Sequence, residues 1–142
     1  MQIHKFTKGQ SMFEVVIALF IIAMIIVGVV SLTTVSVSNS GFSRNKTLAG
    51  KYSQEAIEWL RSQTKADFTT FKTSASGTRC LNTLAFTDPP CSPINNLFKR
   101  QVTFTTISNP TIIKAEVTTS WDDSKGTHQS VSVTEFTDIR EK

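Results

Sequence analysis

The sequence predicts an α+β fold: one long N-terminal helix, apolar in its first half and amphipathic in its second, packed on a small antiparallel β-sheet head. Three observations carry this. From Val15 to Val30 no side chain is polar. Further on, Leu48, Tyr52, Ala56, Trp59 and Leu60 recur at spacings that line one face of a helix. Near the C-terminus, Phe98, Arg100, Val102 and Phe104 alternate with polar residues, as do Ile113, Ala115, Val117, Thr119 and Trp121, the period of strands with one buried face.

The apolar run comes first. Between Met12 and Leu32 only Glu14 and Ser31 interrupt it. A helix over this stretch is ~32 Å long at about 1.5 Å per residue, against a bilayer hydrocarbon core of roughly 30 Å, so the segment is long enough to span a membrane. His4, Lys5 and Lys8 precede it with no acidic residue. The positive-inside rule therefore puts residues 1–9 in the cytoplasm and the remainder outside. A cleaved signal peptide is one alternative, with Ser36-Val37-Ser38 as the cut, but the apolar run is long for that role. A plain signal anchor fits the length and leaves Glu14 unexplained. A carboxylate in mid-membrane costs roughly 2.5–3.5 kcal/mol on insertion scales, less near the interface, and calls for a cationic partner.

The helix is expected to continue from about Met12 to Thr64, weakened near Asn39-Ser40-Gly41, with Arg61 three residues after Glu58 as a favourable pair. The stretch 65–96 holds Phe68, Phe71, Gly77, Cys80, Pro89, Pro90, Cys91 and Pro93 among polar residues, the pattern of a loop. A Cys80–Cys91 bridge would close that loop and contribute about 3 kcal/mol in the chain-entropy model. Two free thiols are the other reading. Zinc is disfavoured because two cysteines and His128 do not make a four-ligand set. Asp122-Asp123-Ser124-Lys125-Gly126 reads as a turn and Val131-Ser132-Val133-Thr134 as the start of a returning strand, giving a sheet of three or four strands. The helix around Tyr52 to Leu60 is the expected cover for its apolar face.

Composition narrows the function. Serine and threonine make up about a quarter of the chain, which suits exposed strands and turns. The formal charge is +4, and Lys5 and Lys8 supply two of these, leaving +2 after Gly9, too weak and too dispersed for nucleic acid. No catalytic constellation emerges, so the chain is not expected to be an enzyme, and no cofactor is implied. His128 reads as a solvated side chain beside a turn. Asp122 and Asp123 lack the spaced oxygen ligands of a calcium loop. Asn45-Lys46-Thr47 matches a glycosylation sequon, a weak three-residue signal.

Gly9-Gln10-Ser11-Met12-Phe13-Glu14, followed by Val15-Val16-Ile17-Ala18-Leu19, resembles the processing motif of type IV pilins and of the pseudopilins of type II secretion. In that family a prepilin peptidase cuts after the glycine of a short basic leader, and the glutamate lies fifth after the cut. The resemblance implies cleavage between Gly9 and Gln10, N-methylation of Gln10 and an assembly role for Glu14. It divides the chain into a leader (1–9), a transmembrane and assembly helix (10–33), an amphipathic helix half (34–66) and a head (67–142). The family usually has phenylalanine where this chain has Gln10, and its main subunits often carry a proline in the apolar half, where this chain has only Gly28. The implied partners are the prepilin peptidase and methyltransferase, other pilin or pseudopilin subunits, and the inner membrane. The closing stretch "VTTSWDDSKGTHQSVSVTEF" is similar, more loosely, to the last hairpin of minor pilins and pilus-modification proteins, which favours a minor subunit.

Cleavage would leave an α-ammonium with an ordinary pKa of about 7.7–8.0 at the head of an apolar helix. Glu14 could neutralise it on a neighbouring subunit and set the stagger between the two. Deleting one partner of such a buried pair typically costs ~3–5 kcal/mol. The plainer reading is that Glu14 favours the positive end of its own helix, worth about 0.3–1 kcal/mol. An uncleaved, membrane-anchored extracellular binding module is the alternative function, and a secreted enzyme a third.

Overall fold

A computed structural model describes residues 12–108 and 111–138. The chain divides into two compact units at Phe42/Ser43. The described part of the first unit is helix alone, the opening portion of α1 (Met12–Ala66). The expected weakness at Asn39-Ser40-Gly41 is not there: α1 is continuous through it. Glycine costs a helix about 1 kcal/mol relative to alanine, and with no proline between Met12 and Ala66 that is too little to break it.

The second unit contains the rest of α1, a short helix α2 (Phe68–Ser74) and four strands, β1 (Thr78–Cys80), β2 (Lys99–Ser108), β3 (Thr111–Asp123) and β4 (Gly126–Thr137). All pair antiparallel in the order β1-β2-β3-β4. The register places Val102 opposite Val117 and Val117 opposite Ser132. Between β3 and β4 only Ser124 and Lys125 make the turn, tighter than the expected one, and β4 accordingly begins at Gly126. Gly126 has φ +121°, a conformation side chains rarely adopt, and the Asp123 carboxylate accepts the Lys125 N–H at 2.7 Å.

The expected loop over 65–96 is only partly a loop. Asp67 caps α2 by accepting the N–H groups of Thr69 and Thr70 at 2.9 and 3.2 Å, and Phe68 and Phe71 turn inward. A single cap and one aromatic pair at i, i+3 make too short a periodic signal to read as a helix. β1, three residues long, is likewise invisible as alternation.

The inner sheet face is the one expected. Phe98, Arg100, Val102 and Phe104, and Ile113, Ala115, Val117, Thr119 and Trp121, are all buried. The helix face over it is shifted in part from expectation: Ala56 and Leu60 are buried as expected and are joined by Ala49 and Ser53, while Leu48, Tyr52 and Trp59 are half-buried flanks. Small residues mark the line of closest approach, and larger ones fill the wedges where a straight helix leaves a twisted sheet. One end of the core is aromatic. Phe71 meets Phe104 and Phe136 edge-on, with centroids 6.1 and 5.4 Å apart, and Phe86 bridges Trp59 and Phe104 at 5.0 and 5.8 Å.

Candidate functional site

The apolar opening of α1 buries nothing within the chain. Every large apolar side chain from Met12 to Val37 is between 42 % and 86 % exposed, and these side chains lie on all sides of the helix. Ordinary soluble proteins do not present such a surface to water. Thr33 and Thr34, at the far end, donate their hydroxyls to the carbonyls of Val29 and Val30 at 2.8 and 3.0 Å. Those bonds satisfy the two polar groups within the helix, as an apolar surrounding requires. The stretch is long and apolar enough to cross a membrane.

Glu14 lies in the first turn of α1 and is exposed. From Met12 to Ser43 it is the one ionisable side chain in the sequence. A helix start leaves amide N–H groups unbonded and favours a negative charge. Gly9 and Gln10, the expected cleavage and methylation positions, lie outside the described residues.

In the head, Cys80 and Cys91 are joined in a disulfide, with Cα atoms 5.3 Å apart. Cys80 is buried at the end of β1 and Cys91 is half-buried. The loop they close is tied down further by an ion pair between Arg79 and Asp88 and by Phe86, which reaches into the aromatic core. It also ends on Arg100, which sequence reasoning placed on the inner face without assigning it a task. Arg100 is 1 % exposed. Its Nε and Nη2 donate to the Leu81 carbonyl at 2.9 and 2.6 Å, and its Nη1 donates to the Tyr52 carbonyl at 2.7 Å and to Glu55 at 2.8 Å. One guanidinium thus joins strand, helix and disulfide loop, which its five fixed donors permit. The signal was a cation in an otherwise apolar alternating row.

His128 is not the fully solvated side chain expected. It is half-buried, its Nε2 lies 2.9 Å from the Asp123 carboxylate, which accepts the hydrogen bond, and its ring lies against Trp121 with centroids 5.4 Å apart. The Lys125 N–H bonded to Asp123, with His128 adding to it, holds the Asp123 carboxyl below the ordinary carboxylate value. Asp122 accepts the Thr127 hydroxyl at 2.6 Å instead of converging with Asp123. Among the described residues no three His, Cys, Asp or Glu side chains group as metal ligands.

An open cleft of about 580 Å³ lies between the end of α1, the start of α2 and the end of β4, lined by Arg61, Lys65, Phe68, Glu135, Phe136 and Asp138 among others. Its rim carries both signs of charge and its floor is aromatic. No protein-family model matches the chain, and neither a curated protein nor a solved structure matches it significantly.

Proposed function

We propose that the chain is a minor subunit of a type IV pilus or of a type II secretion pseudopilus, held in the inner membrane by α1 with its head outside, processed between Gly9 and Gln10, and transferred into a filament through α1. The observation that carries this reading is the helix from Met12 to Val37, apolar on every side, with its only carboxylate in the first turn. Full burial of a large apolar side chain contributes about 1.5–3 kcal/mol, so the run as a whole outweighs any single ion pair. Burial therefore supplies the affinity, and Glu14, paired with the Gln10 amine of a neighbour, supplies the register. The action is assembly, not catalysis. The peptidase and methyltransferase that process Gln10 and the other filament subunits are the partners.

A second reading, an uncleaved membrane-anchored binding module, is favoured by the cleft beside Arg61 and Phe68. The mature amino terminus, isolated from host membranes and measured by mass spectrometry, separates the two. A terminus at Gln10, methylated or not, supports the filament subunit. An intact Met1, or a terminus near Asn39, overturns it.

A further inference from the structure

A second, smaller cavity of about 290 Å³ opens where α1, α2 and the disulfide-closed loop meet. Apart from Ala66 it shares no lining residue with the cleft beside Arg61. α1 contributes Trp59 and Gln63, one turn apart, α2 contributes Thr70, Phe71 and Ser74, and the loop contributes Phe86. Phe71 is buried, whereas Trp59 and Phe86 are only half-buried and meet edge-on, with centroids 5.0 Å apart and ring planes at 76°. Two rings at that angle make an aromatic corner.

The polar groups around this corner indicate what it holds. Among the described residues the Trp59 Nε1–H, the Gln63 side-chain amide and the Ser74 hydroxyl have no hydrogen-bond partner. The Thr70 hydroxyl donates to Asp67 at 2.6 Å and can still accept. Asp67 is the one charged residue in the lining, and its two oxygens are engaged by Thr69 and Thr70. An anionic ligand would therefore meet a carboxylate and no cation. A wholly apolar ligand would strip water from the Trp59, Gln63 and Ser74 groups and return no hydrogen bond, at a cost for each. An uncharged ring with a C–H face and hydroxyls at its edge satisfies both parts of the site. Its C–H groups lie against the aromatic rings, and its hydroxyls exchange hydrogen bonds with the unpaired donors and acceptors. The volume lies just below the usual span of small-molecule sites, about 300–1,000 Å³, which suits a single ring. We infer that the corner formed by Trp59, Phe86, Gln63 and Ser74 is a binding site for a neutral hexopyranose, the ring unit of a glycan. The inference concerns the head and stands independently of processing at Gly9.

Saturation-transfer NMR on the full chain, in a detergent without a sugar headgroup, tests it. The probes are the methyl glycosides of glucose, galactose and mannose, with methyl glucuronide as the control for charge and cyclohexylmethanol as the control for a bare apolar ring. At least one glycoside should bind, with transfer strongest to its ring C–H protons, and both controls should bind more weakly. Gln63→Ala and Ser74→Ala each remove one polar partner from a position outside the buried core. Each should keep the native thermal midpoint and weaken binding of that glycoside by about three- to tenfold, the worth of one neutral hydrogen bond. Lys65→Ala, in the neighbouring cleft, should leave the affinity unchanged. Failure of all three glycosides to bind, cyclohexylmethanol binding as tightly as the sugar, or an affinity unmoved by both Gln63→Ala and Ser74→Ala overturns the inference; a loss in Lys65→Ala alone would put the sugar in the cleft beside Arg61 instead.

Discussion

The Ser53 hydroxyl on α1 and the Thr119 hydroxyl on β3 share a hydrogen bond of 2.8 Å, with both residues fully buried. They are 66 residues apart in sequence and join the helix to the sheet. Ser53→Ala leaves the Thr119 hydroxyl buried without this partner and should destabilise the head by about 1–3 kcal/mol. Adding Thr119→Val to Ser53→Ala removes both polar groups and should recover part of that loss. Chemical denaturation of the single and double variants measures the coupling; strictly additive losses would show that the two hydroxyls act independently.

Arg100 should be among the least tolerant positions of the head. Arg100→Ala strips the Leu81 carbonyl of both guanidinium bonds, deprives Glu55 of its cation and opens space under Tyr52. Glu55 is half exposed and is left to solvent, so the loss comes from the Leu81 and Tyr52 carbonyls, at about 1.5–3 kcal/mol for each hydrogen bond to the charged group. Arg100→Lys cannot reproduce the forked contacts and should recover only part of it. The variants can be ranked by thermal midpoint.

Replacing both cysteines, Cys80→Ser with Cys91→Ser, should cost about 2–4 kcal/mol through the freed loop. Because Phe86 sits in that loop and packs on Trp59, the tryptophan environment should loosen with it. Fluorescence of the variant under native conditions checks this, and an unchanged spectrum with an unchanged midpoint would remove the loop from the account of the core.

Asp123 makes the β3–β4 turn sensitive to acid. Its carboxyl is lowered by the Lys125 N–H first and by His128 to a lesser degree. A carboxylate whose folded value is depressed contributes stability that is fully present above its unfolded value, and this is lost as pH falls through the folded value. The gap in thermal midpoint between the native chain and Asp123→Asn should therefore be widest near neutral pH and close below the ordinary carboxylate range. A gap that does not change with pH would exclude the charge as its source.

Glu14→Ala should leave membrane insertion and processing largely intact while lowering incorporation into filaments, since the substitution leaves the apolar surface in place and removes only the charge. Quantifying the variant in sheared filaments against the membrane fraction gives the ratio; an unchanged ratio would refute the pairing role proposed for Glu14.

The long helix followed by strands, and the buried faces of β2 and β3, could be read from periodicity, because alternation over four or five positions has few other interpretations. The long helix was legible for the same reason, together with the lack of proline. α2 and β1 were not, since one cap and three strand residues carry no period. On the packed helix line, Ala56 and Leu60 were expected, while Ala49 and Ser53 were missed because hydrophobicity points to the largest side chains and passes over small ones.

What the sequence by itself determined is the division of the chain: an apolar helix with one acid at its start, and an alternating head with two cysteines in its loop. Local composition suffices for that, because spanning length, charge position and strand alternation are properties of neighbouring residues. Tertiary structure alone decided which polar residues matter inside the head. Arg100, Ser53 and Thr119 became structural because folding removed them from water and left each one dependent on a partner distant in sequence.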